Sequence, residues 1–173
     1  MATAATPATA GSIHVAPAGS TLPTSASATL DAAFKDLGYV SDAGVTRTLS
    51  LDSETVKEWG GSVVLALGTG KTEEFKFTLL DVTEAEVMKL VYSTVTTTTS
   101  ATSATQGADN RTPHAFVIDM VLADSKIQRI VVPKGLVTSV GDIQYVMNAA
   151  VGFELTVTAM ADDDGNTSYD YIA

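Results

Sequence analysis

The chain has 173 residues, a formal net charge of −10 and no cysteine. Its length suits one domain with a core of its own, and the lack of cysteine excludes a disulfide framework and thiolate metal ligands. The acidic balance argues against nucleic-acid binding through phosphate contacts, which needs a Lys/Arg surface. No apolar run approaches the length of a membrane span, and residues 1–30 lack the features of a secretory signal. The sequence therefore predicts a soluble, non-secreted protein.

Residues 1–30 carry no Asp, Glu, Lys or Arg and consist mainly of Ala, Thr, Ser and Pro. A segment of this composition cannot bury enough apolar surface to offset the entropy lost on ordering. We therefore predict a flexible N-terminal arm over 1–30 and a folded domain over 31–173.

The next predicted elements are a strand at 45–51 and a connection at 52–61. The connection contains the only tryptophan of the chain, Trp59. Its sequence favours a loop or a single helical turn.

The string GTGKT at 68–72 follows an apolar run, as in many phosphate-binding loops. The full pattern, G-x-x-x-x-G-K-[ST], requires glycine where this chain has Leu65. The loop must also open a helix, whereas residues 75–79 alternate apolar and polar side chains, which indicates a strand. We therefore predict no nucleotide site, and a hairpin tip between strands at about 62–67 and 72–80.

A short helix is predicted at about 83–92, where apolar residues recur at helical spacing. Thr83 and Glu86 have the spacing of a capping box. Residues 93–113 begin with an uncharged Thr/Ser/Ala tract, which predicts a long exposed loop.

The last third of the chain predicts more strands. Residues 114–122 and 126–132 form a predicted hairpin, and the alternating segment 153–160 precedes a final strand at 167–172. Between these two, the acidic residues of 162–166 include an Asp-Gly pair, which favours a solvated turn over a calcium loop because the glycine comes too early and no helices flank it. The chain is predicted to be mainly β.

No grouping of catalytic residues stands out. The sequence contains no G-x-S-x-G elbow and no metal-ligand spacing, and His14 and His114 lie far apart. Glu73 and Glu74 are close to lysines, which favours a solvated rim over acid–base work. We expect no cofactor, no bound metal and no enzymatic activity.

Several segments, in this order and spacing, carry a family resemblance: Leu37–Val45, Leu51–Glu54, Trp59–Gly61, Phe75–Leu80 and Lys89–Tyr92. Together they resemble the major tail protein, or tail tube protein, of bacteriophages with long non-contractile tails (siphophages). The resemblance covers about 35–172 and includes the closing pattern of a strand, an acidic turn and a Tyr-rich strand. The uncharged segments 1–30 and 93–108 depart from a minimal family member.

The resemblance implies a β-sandwich or barrel-like tail tube fold with one short flanking α-helix. It also implies a structural virion protein: six subunits close into a ring, and rings stack into the hollow tail tube that conducts the genome into the host. The implied partners are further copies of the chain and other tail proteins (tape measure, terminator and tail tip), with assembly in the host cytoplasm and no membrane contact. DNA would pass through the lumen without specific binding. Two other classes stay open, a capsid decoration or adhesin-type β-sandwich protein and an enzyme domain without a recognisable motif.

The resemblance also implies two functional surfaces. In the family, the connection that corresponds to 52–61 reaches the neighbouring ring, so Asp52, Val56 and Trp59 are the predicted inter-ring contacts; the alternative for Trp59 is packing in its own core. Hairpins corresponding to 62–80 and 115–132 line the channel. Strand alternation then selects the predicted lumen-facing residues, which are Glu74, Lys76 and Asp119.

Overall fold

The structure is a computed structural model that describes residues 11–109, 111–122 and 125–173. Within these residues the chain is mainly β with one short helix, which confirms the predicted fold class. In chain order the elements are β1 (Ser12–Pro17), β2 (Lys35–Asp36), β3 (Val40–Lys57), β4 (Val63–Leu79), α1 (Ala85–Val91), β5 (Thr94–Thr97), β6 (Thr102–Thr105), β7 (His114–Val121), β8 (Ile127–Val140), β9 (Phe153–Met160) and β10 (Tyr169–Ile172). No helix of this described part is long and apolar enough to cross a membrane.

One large antiparallel sheet holds most of the strands, in the order β2-β1-β7-β8-β9-β4-β3. The long strand β8 changes partners along its length, because its first half pairs with β7 and β10 and its second half pairs with β9. Strands β10 and β9 therefore follow one another along one edge of β8, and β7 takes the other edge. The strand β3 lies at one end of the order and is an edge strand.

The main core lies on one face of the sheet. Burial alternates residue by residue along β9, as expected for a strand with one face packed. The helix α1 covers this face through Val87 and Leu90. The largest strand residues of the main core are Ile13, Phe75, Phe77, Leu79, Phe116, Ile118, Ile130, Phe153 and Leu155.

A second, smaller cluster lies on the opposite face of β1, β7 and β8. Phe34 packs there against Val117 and Val131, with Tyr169 and Tyr171 at its margin. Strand β7 is therefore packed on both faces, which explains its near-continuous burial.

The N-terminal segment is part of the folded domain from β1 onward, so the predicted flexible arm is wrong for this part. Ile13 and Val15 are 1% and 4% exposed, in the main core. The alternation in the sequence of β1 gives it one apolar face, which the average composition of 1–30 conceals. Residues 1–10 of the predicted arm lie outside the described residues.

Three local predictions also need correction. The GTGKT segment is not a hairpin tip, because β4 runs through it without a break and the turn lies at 58–62. The exposed tract at 93–113 contains the small β5–β6 hairpin. The helix is confirmed within the predicted bounds, but its N-cap is Glu84, which makes no side-chain capping hydrogen bond, so the capping box is wrong.

The hairpin predicted over 114–132 is confirmed as β7–β8, although two residues of its turn lie outside the described residues.

Candidate assembly interface

The hairpin formed by β3 and β4 extends well beyond the sheet. Strand β4 pairs with β9 only from Glu73 to Leu79, so residues 50–72 pair only with each other. We call residues 50–72 the arm. The ten β4 residues of the arm span about 30 Å at ~3.3 Å per residue. A two-stranded hairpin is only marginally stable in water, so the arm needs a partner surface.

The arm exposes an unusual amount of apolar surface. Trp59, at its tip, is fully exposed, and Val56 is 44% exposed. The other large exposed apolar residues of the arm are Leu51, Val63, Val64, Leu65 and Leu67. A concentration of exposed apolar residues on one projecting hairpin is typical of an interaction site.

The three residues predicted to contact a neighbouring ring all lie on the arm. Asp52 and Val56 are on β3, and Trp59 is in the turn that follows. The alternative interpretation of Trp59, packing in the core of its own subunit, is wrong because its side chain makes no such contact and is fully exposed. Their role in an inter-ring contact remains a prediction.

The GTGKT segment forms a β-bulge that sets the faces of the arm. Two successive residues of β3 lie opposite β4 residues that are two apart: Asp52 opposite Gly70, and Ser53 opposite Gly68. Thr69 is the extra residue. One extra residue exchanges the two faces of all side chains beyond it. Leu65 and Leu67 therefore lie on the face opposite to Phe75, beside Val56.

An ionic cluster around the buried Glu73 holds the base of the arm. The side chain of Glu73 is fully buried, and its Oε1 accepts a hydrogen bond of 2.6 Å from Arg47 Nε. The hydroxyl groups of Thr167 and Ser168 also donate to this carboxylate. Arg47 in turn donates to Asp170 Oδ2 at 2.7 Å. The cluster joins the arm to the segment that leads into β10, and the solvated rim predicted for Glu73 is wrong.

The pKa of Glu73 is lowered despite its burial. Burial acts to raise the pKa, but the hydrogen bonds from Thr167 and Ser168 and the positive charge of Arg47 outweigh it. The carboxylate is therefore charged at neutral pH. Its contacts join residues 26 and more than 90 positions apart, which no local motif reveals.

Two of the residues predicted to face the lumen lie together on the sheet face opposite the main core. Lys76 Nζ lies 2.9 Å from Glu154 Oε1, and both side chains are about half exposed. Glu74 is half-buried on the same face of β4 and accepts a hydrogen bond of 3.4 Å from Thr158. This part of the face is polar and open. That it lines a lumen remains a prediction.

The third residue, Asp119, does not join them. Arg129 donates to both of its carboxylate oxygens, at 2.6 and 3.0 Å, and the two side chains are 19% and 9% exposed. Arg129 also donates to the carbonyl groups of Ser25 and Ala28, which lie over this part of the sheet. Asp119 is therefore an ion-paired, largely covered carboxylate. The covering segment belongs to the N-terminal residues 1–30, which were predicted to be flexible, so the sequence did not indicate that Asp119 is covered.

The acidic segment 162–166 forms a turn. The carboxylate of Asp162 accepts hydrogen bonds from the backbone of Asp164 and Asn166 and from the hydroxyl of Tyr169. Gly165 has a φ of +82°, which glycine adopts without strain. In the described ranges, no three His, Cys, Asp or Glu residues are grouped so that they could hold a metal ion.

Comparisons with known proteins give one family. The model of a family described as phage tail tube protein matches residues 2–173. Among solved structures, the chain is similar to the cryo-EM structure of an anti-feeding prophage cap, described as a tube terminating cap. The two share 8% sequence identity and a TM-score of 0.48, over 93% of this chain and 88% of that one. No curated protein sequence matches the chain.

Proposed function

Because the chain belongs to the phage tail tube protein family, we propose that it polymerises as stacked rings of six subunits into the hollow tube of a long non-contractile phage tail. This tube is the conduit through which the genome enters the host. The chain is a structural protein of the phage tail. The proposal adds the ring, the stacking and the passage of DNA.

The exposed apolar arm is the observation that carries the proposal. A protein that works alone has no use for a marginally stable hairpin with a fully exposed Trp59 at its tip. Burying a side chain of this size on another subunit contributes roughly 1.5–3 kcal/mol. The arm therefore supports an assembly in which each subunit inserts its hairpin into a neighbour.

The edges of the sheet support a second contact. Strand β3 is an edge strand of 18 residues, with a row of backbone groups that no other strand of the described part pairs. Pairing such an edge with a neighbouring subunit is one way to protect it. A closed ring and an open stack need two different heterologous contacts, and the edge and the arm supply one candidate for each.

The charge of the chain supports the passage of DNA. The net charge is −10, and Lys76 on the open sheet face is paired with Glu154. A free lysine or arginine on a lumen wall would attract phosphates and slow the passage of DNA. A wall without free cations lets DNA slide.

Electron microscopy of the purified wild-type protein and of Trp59→Ala tests the proposal. We expect hollow filaments or rings from the wild type. We expect Trp59→Ala to keep the wild-type thermal midpoint, because its side chain makes no contact within the subunit, and to lose most of the assembly. Ile172→Ala is the control, since Ile172 is 61% exposed but lies outside the arm.

Two results contradict the proposal. Wild-type protein that stays monomeric at every concentration would favour the alternative, a capsid decoration or adhesin-type β-sandwich protein. Trp59→Ala filaments as abundant as the wild-type filaments would show that the arm is not an assembly contact.

A further inference from the structure

The subunit also carries a surface that fits the arm. Resting on the tube proposed above, we infer that the arm tip of one copy docks in an acidic groove at the base of the β3–β4 hairpin of a second copy. In this contact Lys57 lies against Asp42 and Asp142, and Trp59 lies against the neighbouring segment 145–147.

The groove lies between the start of β3, the end of β4 and segment 141–152. It is open because β3 bulges there: Val40 and Val45 pair with β4, but residues 41–44 do not. On the opposite wall the backbone comes close to β4, since a Cβ on Gly152 would meet the side chain of Thr78 at 2.8 Å. Glycine at this position keeps the wall of the groove tight.

Two carboxylates of the groove have no cationic partner. Asp142 and Asp42 are exposed and make no ion pair within the residues that the structure describes. Asp42 accepts one hydrogen bond, from the neighbouring Ser41. Glu154, also in the wall, is paired with Lys76. The groove therefore offers free negative charge to a partner.

The arm carries the complementary charge. Most cations of the chain are ion-paired, namely Arg47, Lys76, Lys89, Arg111, Arg129 and Lys134. The side chains of Lys57 and Lys71, both on the arm, make no ion pair or hydrogen bond in the described part of the chain. Lys35, outside the arm, also has no ion pair, but it donates to the carbonyl group of Ala32. In a chain with a net charge of −10, two cations without any side-chain partner on one projecting hairpin point to an acidic receptor.

The two faces of the arm separate its charges. Lys71 lies opposite Leu51, and Lys57 is on the same face because residues 51 and 57 of β3 are an even number of positions apart. Asp52 and Glu54 lie on the other face by the same parity. One face of the arm is thus cationic, although the arm as a whole is not.

Apolar surface lies beside the groove. Segment 145–147, between β8 and β9, exposes Tyr145, Val146 and Met147 by 73%, 54% and 99%. Its flanks, at Gln144 and Ala150, line the groove itself. A thioether against an indole ring is a favourable contact. Docking Trp59 here covers two exposed apolar surfaces of the subunit with each other.

The occupant must belong to a second copy. The groove contains Thr78, near one end of β4, and the arm tip at 58–62 lies beyond its other end. Fifteen residues of extended strand separate 63 from 78, or about 50 Å. The tip cannot fold back onto its own groove. A tip-to-base contact repeated from copy to copy forms an open-ended stack.

A designed disulfide tests the contact in the full chain. The natural protein has no cysteine, so two introduced thiols are the only ones present. We expect the double variant Lys57→Cys/Asp142→Cys, oxidised after assembly, to give a ladder of covalent multimers on a non-reducing gel. The matched control is Lys57→Cys/Glu84→Cys, because Glu84 is an exposed acidic residue at the start of α1. We expect at least ten times less cross-linking there.

A second cysteine position in the groove covers the case that Asp142→Cys disturbs the local fold. Asp42→Cys replaces Asp142→Cys in an otherwise identical experiment, and cross-linking through either acceptor above the control supports the groove. If wild-type tubes form but neither pair exceeds the control, the groove assignment is wrong and the proposed tube stands. If the wild type forms no tubes, the proposed function fails and the groove fails with it.

Discussion

Glu73 and Glu74 are adjacent, chemically identical and structurally opposite. Successive residues of a strand point to opposite faces, so Glu73 enters the main-core side, where Arg47, Thr167 and Ser168 surround it. Glu74 lies half-buried on the polar face. The carboxylate of Glu73 stabilises the base of the arm, whereas the carboxylate of Glu74 is partly accessible to solvent or to a binding partner.

The substitution Glu73→Gln tests this role. It keeps the shape of the side chain but removes the charge that Arg47 faces and one acceptor of the hydroxyl hydrogen bonds. We expect a loss of about 1–3 kcal/mol in the free energy of unfolding at pH 7, measured with urea. Glu74→Gln is the matched control, with an expected change within ~0.5 kcal/mol. Equal effects of the two substitutions would contradict the buried cluster.

The stability difference between the wild type and Glu73→Gln should also depend on pH. The pKa of Glu73 is lower in the folded chain than in the unfolded chain, where it is about 4.3. A depressed pKa contributes stability that is fully present above the unfolded value and is lost as the pH falls through the folded value. The stability difference between wild type and Glu73→Gln should therefore be constant from pH 7 to about 5 and shrink below about 4.3. A difference that stays constant down to pH 3 would mean that this carboxylate is not the titrating group.

At the scale of elements, the bulge at Thr69 decides which face of the arm is apolar. If the same residues paired in a regular register, with Thr69 opposite Ser53, Leu65 and Leu67 would continue the row of Phe75 and leave the face of Val56. The bulge thus divides the hairpin into two parts. In the base, the odd-numbered residues of β4 face the main core; in the arm, Leu65 and Leu67 lie on the opposite face.

Insertion of one alanine between Asp52 and Ser53 should separate folding from assembly. The inserted residue gives Thr69 a partner on β3, so the ladder becomes regular and Leu65 and Leu67 move to the face of Phe75. The pairs between β4 and β9 lie outside the arm, so we expect this variant to keep a cooperative thermal transition but to form no tubes by electron microscopy. Deletion of Thr69 is the control: it also removes the bulge, but it leaves Leu65 and Leu67 on their present face and should still assemble. An insertion variant that forms normal tubes would contradict the importance of the arm faces.

Elements with a strong local pattern could be predicted from the sequence. The alternation at 75–79 gave both the strand and its buried face, and the apolar spacing at 83–92 gave the helix. The glycines of GTGKT were misinterpreted because glycine marks bulges as well as turns, and only the partner strand decides between them. The strand β1 was missed because six alternating residues were averaged with a long uncharged segment.

The candidate site could be predicted from the sequence only where a local pattern indicates it. The connection that contains Trp59 was predicted as a loop or a single helical turn over 52–61, whereas residues 52–57 belong to β3. Its reach to another subunit was implied only by the family resemblance. The ion pair of Asp119 with Arg129, and the segment around Ser25 that covers it, depend on contacts about 100 residues apart in sequence. Such contacts leave no periodic or local signal. A variant of Glu74 is therefore a better test of the open polar face than a variant of Asp119.

At the scale of the whole molecule, the position of Asp119 changes how the lumen can be tested. Its carboxylate neutralises Arg129, whose side chain is only 9% exposed. Asp119→Lys would place two cations together in a covered site, and breaking such a pair costs about 3–5 kcal/mol. We expect this variant to be strongly destabilised, as a lowered thermal midpoint would show. It therefore reports on the stability of the subunit, whereas a variant of Glu74 reports on the proposed channel.

Glu74→Lys adds a cation to the open face without disturbing a buried pair. If this face lines the lumen, the new lysine recurs on every subunit along the tube and attracts the phosphates of passing DNA. We expect particles with this variant to assemble normal tails but to release DNA several-fold more slowly, with partial recovery when salt is raised, because screening weakens phosphate contacts. Glu74→Gln removes the negative charge without adding a positive one and should release DNA nearly as fast as the wild type. Release by Glu74→Lys at the wild-type rate and with the wild-type salt dependence would place this face outside the lumen, and the channel wall would then have to be formed by another surface of the subunit.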